Sequence, residues 1–247
     1  MPGEGTPPRR FLVLGLPRSG TTYLMTLLNS HHQIFCTGEQ FNPKAVVGIA
    51  ERDESHQAVL DRDRAPTEFV QRFFEEAADR QRGKWVGFKF MIGHNIEVLK
   101  SLENDPDLTL IYVWRDNRLA QASSMIKAAR SKNWAQTRRD ANIEEKIHVT
   151  PRTLSQRWHE FATYDYLFQS WLKDQPHRKI TLEYRELFQP GFEARICDFL
   201  DVAFDPGMKS PLVKQNPNTV LDRFVDPKPI RYYFTQVGHA DWLESEL

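Results

Sequence analysis

Cationic and hydroxyl side chains crowd one short stretch, Gly15-Leu16-Pro17-Arg18-Ser19-Gly20-Thr21-Thr22, directly after an apolar run. A strand, a glycine turn and a helix start, in that order, aim several backbone N–H groups at one point, where the helix dipole adds partial positive charge. Ser19, Thr21 and Thr22 add hydroxyl donors. Arg18 adds a planar, permanently charged fork suited to phosphate or sulfate oxygens. Every part favours an anion. The plainer reading has Thr21 capping the helix and Arg18 in water. An ATP- or GTP-binding loop of the form G-x-x-x-x-G-K-[ST] would place lysine after the second glycine, where this chain has Thr21. A nucleoside triphosphatase also needs a carboxylate at a strand end for Mg²⁺. Asp116 follows "LIYVWR" and could serve, but the strand-end residue itself is Arg115. Arginine there repels a metal and attracts a second phosphate, unless it forms a structural ion pair with Asp116 or another acid. The pattern suggests two anion sites and no required metal.

Composition narrows the class. The 247 residues carry 33 basic and 33 acidic side chains. A neutral chain lacks the bulk basic field typical of nucleic-acid binders. Only Cys36 and Cys197 occur, far apart, so neither a disulfide framework nor a metal cluster is expected, and a reducing compartment fits. The opening "MPGEGTPPRR" has no apolar signal core, and no apolar run approaches the ~20 residues of a membrane span. The expectation is one cytoplasmic domain over 1–247, with a flexible 1–9 and an irregular C-terminal segment, 205–247.

The elements that must position these residues are legible from periodicity. Residues 11–14 form a continuous apolar run that suits a strand buried on both faces. Leu24, Leu27 and Leu28 follow helical spacing from Thr21. A second short strand is expected at 34–36 and a long irregular excursion over 38–66. The remaining helices are expected at 67–82, 96–102, 117–130 and 153–172 and in "FEARICDFL". The remaining strands are expected in "KWVGFKFMIG", "LTLIYVW" and "RKITLEY". Residues 131–152 read as loop or mobile helix. Alternating strands and helices predict an α/β fold of the phosphate-loop type, a central parallel sheet with helices on both faces. Ligands of such sheets bind beyond the carboxyl ends of the strands, near Gly15, Phe90 and Trp114.

Three motifs together resemble a known family. "PRSGTT" after an apolar strand is similar to the 5′-phosphosulfate loop of sulfotransferases that use 3′-phosphoadenylyl sulfate (PAPS). "WRDNRLAQASS" supplies Arg115 and, eight residues on, Ser123, similar to the family's pair for the 3′-phosphate. "ITLEYRELFQPGFEARICDFLDV" resembles its strand, "YEDL"-like corner and closing helix, with Arg185 for the usual acid and Asp201 for the usual glycine. The likeness runs from residue 11 to about 202, and "GFKFMIGH" with "RDNRLAQASS" leans toward the bacterial Nod-factor, lipopolysaccharide and trehalose branch. It implies PAPS as cofactor and PAP as product, held by Arg18, Ser19, Gly20, Thr21, Thr22, Arg115 and Ser123, with Tyr184 near the adenine. ATP has no 3′-phosphate, so Arg115 and Ser123 would discriminate between the cofactors.

Sulfuryl transfer needs an activated acceptor oxygen, an in-line approach and a stabilised leaving phosphate. Arg18 and the helix start serve the leaving oxygen. Lys89 in "GFKF" is a second candidate cation, or else an exposed strand-end lysine. Glu39 in "CTGEQFNP" is the candidate base, by the resemblance and because a carboxylate of pKa about 4.3 is ionised at neutral pH. Gly38 frees the backbone to turn it inward. His94 is the rival base. His31 and His32 end the first helix and are read as satisfying its carbonyls. The implied acceptor is a hydroxyl of a carbohydrate, glycolipid or other small alcohol, with Trp134, Tyr232 and Tyr233 available to stack on a sugar or to cover the core. Two alternatives stay open: a phosphate-loop kinase using ATP and Mg²⁺, and a nucleotide-binding relative without catalysis. The oligomeric state is open, a homodimer included.

Overall fold

The computed structural model describes residues 7–80, 83–135, 137 and 146–247, except for the side chain of residue 80. Five parallel strands form the sheet: β1 (Arg9–Gly15), β2 (Ile34–Glu39), β3 (Trp85–Met91), β4 (Leu108–Trp114) and β5 (Lys179–Glu183). Their order is β2-β3-β1-β4-β5, so the chain works outward from a central β1 in both directions. Strand alternation sorts the core into two layers. Phe11, Val13, Ile111, Val113 and Leu182 face α1 (Thr21–Leu28) and α7 (Phe192–Phe199). Leu12, Leu14, Phe88, Phe90, Leu110 and Tyr112 face the other side. There they meet α3 (Pro66–Arg80), α4 (Ile96–Leu102) and α6 (Pro151–Asp174). The expected α/β fold with helices on both faces is what the chain adopts.

Two helices were not among those expected. α2 (His56–Arg64) sits inside the stretch expected to be irregular, and α8 (Lys228–Gln236) inside the C-terminal segment. α2 buries only Arg62, whose guanidinium bonds the carbonyls of Gln40, Asn42 and Ala45, so it has no apolar stripe to read. α8 buries Ile230 and Phe234 in a third core. That core joins Leu16, Leu119 and Leu154 to Val220, Phe224, Trp242 and Leu243. The tail therefore packs over α5 (Arg118–Ser131) and α6. Arg9, expected in a flexible N-terminus, already belongs to β1. Residues 1–6 of the expected N-terminus, 81–82 at the end of the expected helix 67–82, and 136 and 138–145 of the expected loop lie outside the described residues.

Candidate active site

The loop after β1 turns through two left-handed residues, Arg18 at φ 64° and Gly20 at φ 104°. A non-glycine residue in that region carries strain, which structures tend to keep at functional sites. Glycine is required at position 20 for a second reason. A Cβ there would lie 2.8 Å from Leu187 Cδ1 and 2.9 Å from Tyr184 Cδ2. Gly20 precedes α1 and offers no side chain to cap it, which leaves the first-turn amides for a ligand. Thr21, Thr22 and Arg18 line a cleft of about 140 Å³ with Arg115, Tyr184, Lys214 and Arg223. The Ser19 hydroxyl does not reach it. Ser19 is fully buried and donates to the Leu16 carbonyl at 2.8 Å, bracing the loop from inside.

Arg18 extends across the cleft. Its guanidinium donates to Ser124 Oγ at 2.8 Å, to Gln215 Oε1 at 2.7 Å and to the Trp134 carbonyl. Burial, and then the nearby Arg115, pull its pKa down to about 10, so it stays charged at neutral pH. Trp134 is exposed at its ring. Tyr232 is also exposed, and the Tyr233 hydroxyl pairs with Ser155 at 2.9 Å.

Arg115 and Ser123 come together beside the loop, with their donors engaged. Arg115 donates to the Arg18 carbonyl at 2.7 Å and through Nε to Glu246 at 2.6 Å. Its guanidinium carbon stands 4.2 Å over the Tyr184 ring, so one face of that tyrosine is covered by arginine. The Ser123 hydroxyl donates to the Ala120 carbonyl at 2.9 Å and accepts from Arg223 at 3.2 Å. Arg223 also donates to the second Glu246 oxygen at 2.9 Å. The ion pair of Arg115 is thus made with Glu246, not with Asp116. Arg223, Lys214 and Glu246 were missed in sequence because the tail containing them shows no periodicity or spacing that announces charge. Burial pushes the Lys214 ammonium down to about 8, against the pull of Glu246.

A second cluster forms where β2 and β3 end. The ladder between them shifts register between Thr37 and Glu39, so Gly38 is the irregularity that re-aims Glu39. Lys89, opposite Glu39 in the ladder, bonds its carboxylate at 2.8 Å and donates to Thr22 Oγ1 at 2.8 Å. Lys89 is therefore not an exposed strand-end residue; it is 7 % exposed and ties the carboxylate to the phosphate loop. Asn42 donates to the other Glu39 oxygen at 2.8 Å. Burial alone would raise the Glu39 pKa, but Lys89 and Asn42 outweigh it and hold the carboxyl below its usual range. His94 Nε2 lies 4.0 Å from Glu39, and its buried Nδ1 has no hydrogen-bond partner. Burial, helped by Lys89 and Arg62 and opposed by Glu39, lowers the His94 pKa and favours the neutral ring. Asn95, not His94, caps α4. His31 holds the Ala203 carbonyl through Nε2 at 2.9 Å and accepts from the Gln33 amide at 3.0 Å, so it braces a turn rather than the helix end. His32 sits beside Asp205 at 3.4 Å, on the exterior.

A doubly wound parallel sheet with a glycine turn, two arginines and a lysine at its carboxyl edge defines the class, an α/β protein with a cationic cleft there. Residues 10–206 match the sulfotransferase family, and the chain belongs to it. The fold agrees with a sulfotransferase from Alicyclobacillus acidocaldarius at 17 % identity and TM-score 0.52, covering 96 % of this chain and 95 % of that one. It also agrees with the sulfotransferase domain of the Synechococcus PCC 7002 olefin synthase at 14 % identity and TM-score 0.51, covering 94 % and 90 %. No curated protein sequence matches. Among the described residues no helix is long and apolar enough to cross a membrane.

Proposed function

We propose that this chain, as a single domain, transfers the sulfuryl group of PAPS to a hydroxyl of a carbohydrate, glycolipid or other small alcohol. The observation that carries this reading is the tie between the two clusters: Glu39, Lys89 and Thr22 run as one bonded chain from the carboxylate to the phosphate loop. Such a tie sets a proton acceptor next to the group that leaves. The donor set fits the cofactor. Six residues that line the cleft, Arg18, Thr21, Thr22, Lys214, Arg115 and Arg223, are donors, and Gly20 lines it with no side chain of its own. PAPS, when bound, supplies the sulfuryl group and the phosphate that departs with PAP.

The residues divide the work. Arg18, the α1 amides and the hydroxyls of Thr21 and Thr22 hold the 5′-phosphosulfate. Arg115 and Ser123 recognise the 3′-phosphate, and Tyr184 borders the nucleoside. Lys89 stabilises negative charge developing on the leaving oxygen, since fixed donors aimed at developing charge cost no reorganisation. Glu39 takes the acceptor proton. The membership in the bacterial carbohydrate branch rests on the "GFKFMIGH" and "RDNRLAQASS" stretches. The site calls on no metal: the positive charge it needs comes from arginine and lysine.

Incubation with PAPS and a panel of saccharides, glycolipids and simple alcohols, read by mass spectrometry for added sulfate, tests the reading. Sulfated saccharide or alcohol products are expected. Transfer of phosphate from ATP with Mg²⁺, and none of sulfate, would replace it with a kinase. Cofactor binding without any turnover would replace it with a binding protein.

A further inference from the structure

Among the described residues, Glu246 is the acid paired with two arginines of the cleft, Arg115 and Arg223, and its side chain is fully buried. Arg115 and Arg223 each bond it, Arg223 also reaches Ser123, and Lys214 stands 3.6 Å away. Arg115 and Ser123, the two groups assigned to the 3′-phosphate, are therefore grouped around a carboxylate from 131 residues along the chain. The cleft beside them measures about 140 Å³, below the roughly 300–1,000 Å³ of small-molecule sites.

The backbone of the segment holding Glu246 bonds to one stretch, residues 218–220. Glu244, Ser245 and Leu247 are exposed, while Trp242 and Leu243 are buried just upstream. The Thr219–Ser245 bridge joins the two stretches, the Val220 amide donates to the Glu244 carbonyl at 3.2 Å, the Glu246 amide to the Asn218 carbonyl at 3.2 Å and the Leu247 amide to Asn218 Oδ1 at 2.9 Å, and Asn218 Nδ2 donates to the Leu247 carbonyl. Trp242 and Leu243 belong to the third core and residues 244–247 do not, so the latter can part from 218–220 without opening it.

We propose that Glu246 is a specificity-determining residue of the cofactor site: its carboxylate holds the position of the 3′-phosphate, and a ligand displaces it only by bringing a phosphomonoester there. This rests on the PAPS reading above. A phosphomonoester carries about −1.5 to −2 charges at neutral pH and three acceptor oxygens, against one charge and two oxygens for Glu246. Arg115, Arg223 and Lys214 then exchange a weaker anion for a stronger one, and Ser123 adds a hydroxyl. A ligand without the 3′-phosphate cannot make that exchange and binds with Glu246 still in place. Arg115 and Arg223 are meanwhile never left as unpaired buried charges, which would be costly.

The test is calorimetry and hydrogen exchange on the full chain. Wild type with saturating PAP should show at least tenfold faster exchange at the amides of Glu246, Leu247 and Val220, the last held by the Glu244 carbonyl. Glu246→Gln should bind PAP at least tenfold more tightly than wild type and adenosine 5′-phosphosulfate equally well. PAP binding that leaves those amides unchanged or slower would overturn the proposal and leave the cofactor reading standing. Weaker PAP binding by Glu246→Gln would do the same, showing that the carboxylate props the arginines for the phosphate. If wild type and variant both fail to bind PAP, the cofactor reading falls and this proposal with it. The wild-type exchange decides the matter even if the variant does not fold.

Discussion

Glu39 and His94 stand 4.0 Å apart and compete for one role. Glu39 is ionised but already shared between Lys89 and Asn42, whereas His94 is driven toward its neutral form with Nδ1 unpartnered. A carboxylate offers about four lone-pair positions, so two bonds leave Glu39 able to accept a proton. Glu39→Gln is expected to lower turnover about 10²–10⁴-fold, the usual range for a general base. PAP affinity should stay nearly constant, because Glu39 does not line the cleft. Full turnover in that variant, with loss in His94→Asn at unchanged PAP affinity, would move the role to the histidine. Glu246 makes a separate prediction about acid. Burial opposes its ionisation, but Arg115 and Arg223 win and pull its pKa from 4.5 to about 2. A depressed folded pKa stabilises fully above the unfolded value and is lost as pH falls through the folded one. Stability should therefore drop between pH about 4.5 and 2, and urea melts of Glu246→Gln should show a shallower fall across that window.

The phosphate loop keeps its shape because neighbouring elements press on it. Gly20 touches the corner after β5, where Tyr184 and Leu187 close in. Pro17 is held through its carbonyl by Gln121 of α5 at 2.9 Å, and Gln121 accepts in turn from Arg118 at 3.0 Å. Arg118 also bonds Asp165 of α6, and Asp165 accepts the Tyr112 hydroxyl of β4. Gly20→Ala combines a strained φ with a clash against the Leu187 and Tyr184 side chains, at a cost of about 1–3 kcal/mol. At this chain length that is roughly a 2–10 °C loss in melting temperature, with weaker PAP binding alongside. Unchanged melting would mean that the corner yields more readily than its packing implies. Arg118→Ala removes one partner of a buried pair and should cost about 3–5 kcal/mol in a denaturant melt.

Across the molecule, the charges that matter converge from both ends of the chain. Arg18 comes from the first loop and Lys214, Arg223 and Glu246 from the tail, which packs over α5 as a third core. PAP should therefore stabilise the entire fold without added metal. At a hundred times its dissociation constant the gain is about 2.7 kcal/mol, several degrees in a thermal shift. Stabilisation by ATP only with Mg²⁺, and none by PAP, would instead favour a triphosphate site.

The strands, the glycine turn after β1 and the eight-residue spacing from Arg115 to Ser123 were determined by sequence alone, because each is a local pattern. Continuous apolar runs specify strands buried on both faces, and glycine positions specify the turn. The helix α2 could not be read this way, because it buries an arginine, whereas α8 carries Ile230, Tyr233 and Phe234 at helical spacing inside a segment expected to be irregular. The tertiary structure alone decided that Lys89 joins Glu39 to Thr22, and that Arg115 pairs with Glu246 rather than with its neighbour Asp116. Ion pairing acts through space and depends on which chain segments the core brings together. Spacing along the chain carries no record of a partner 131 residues away.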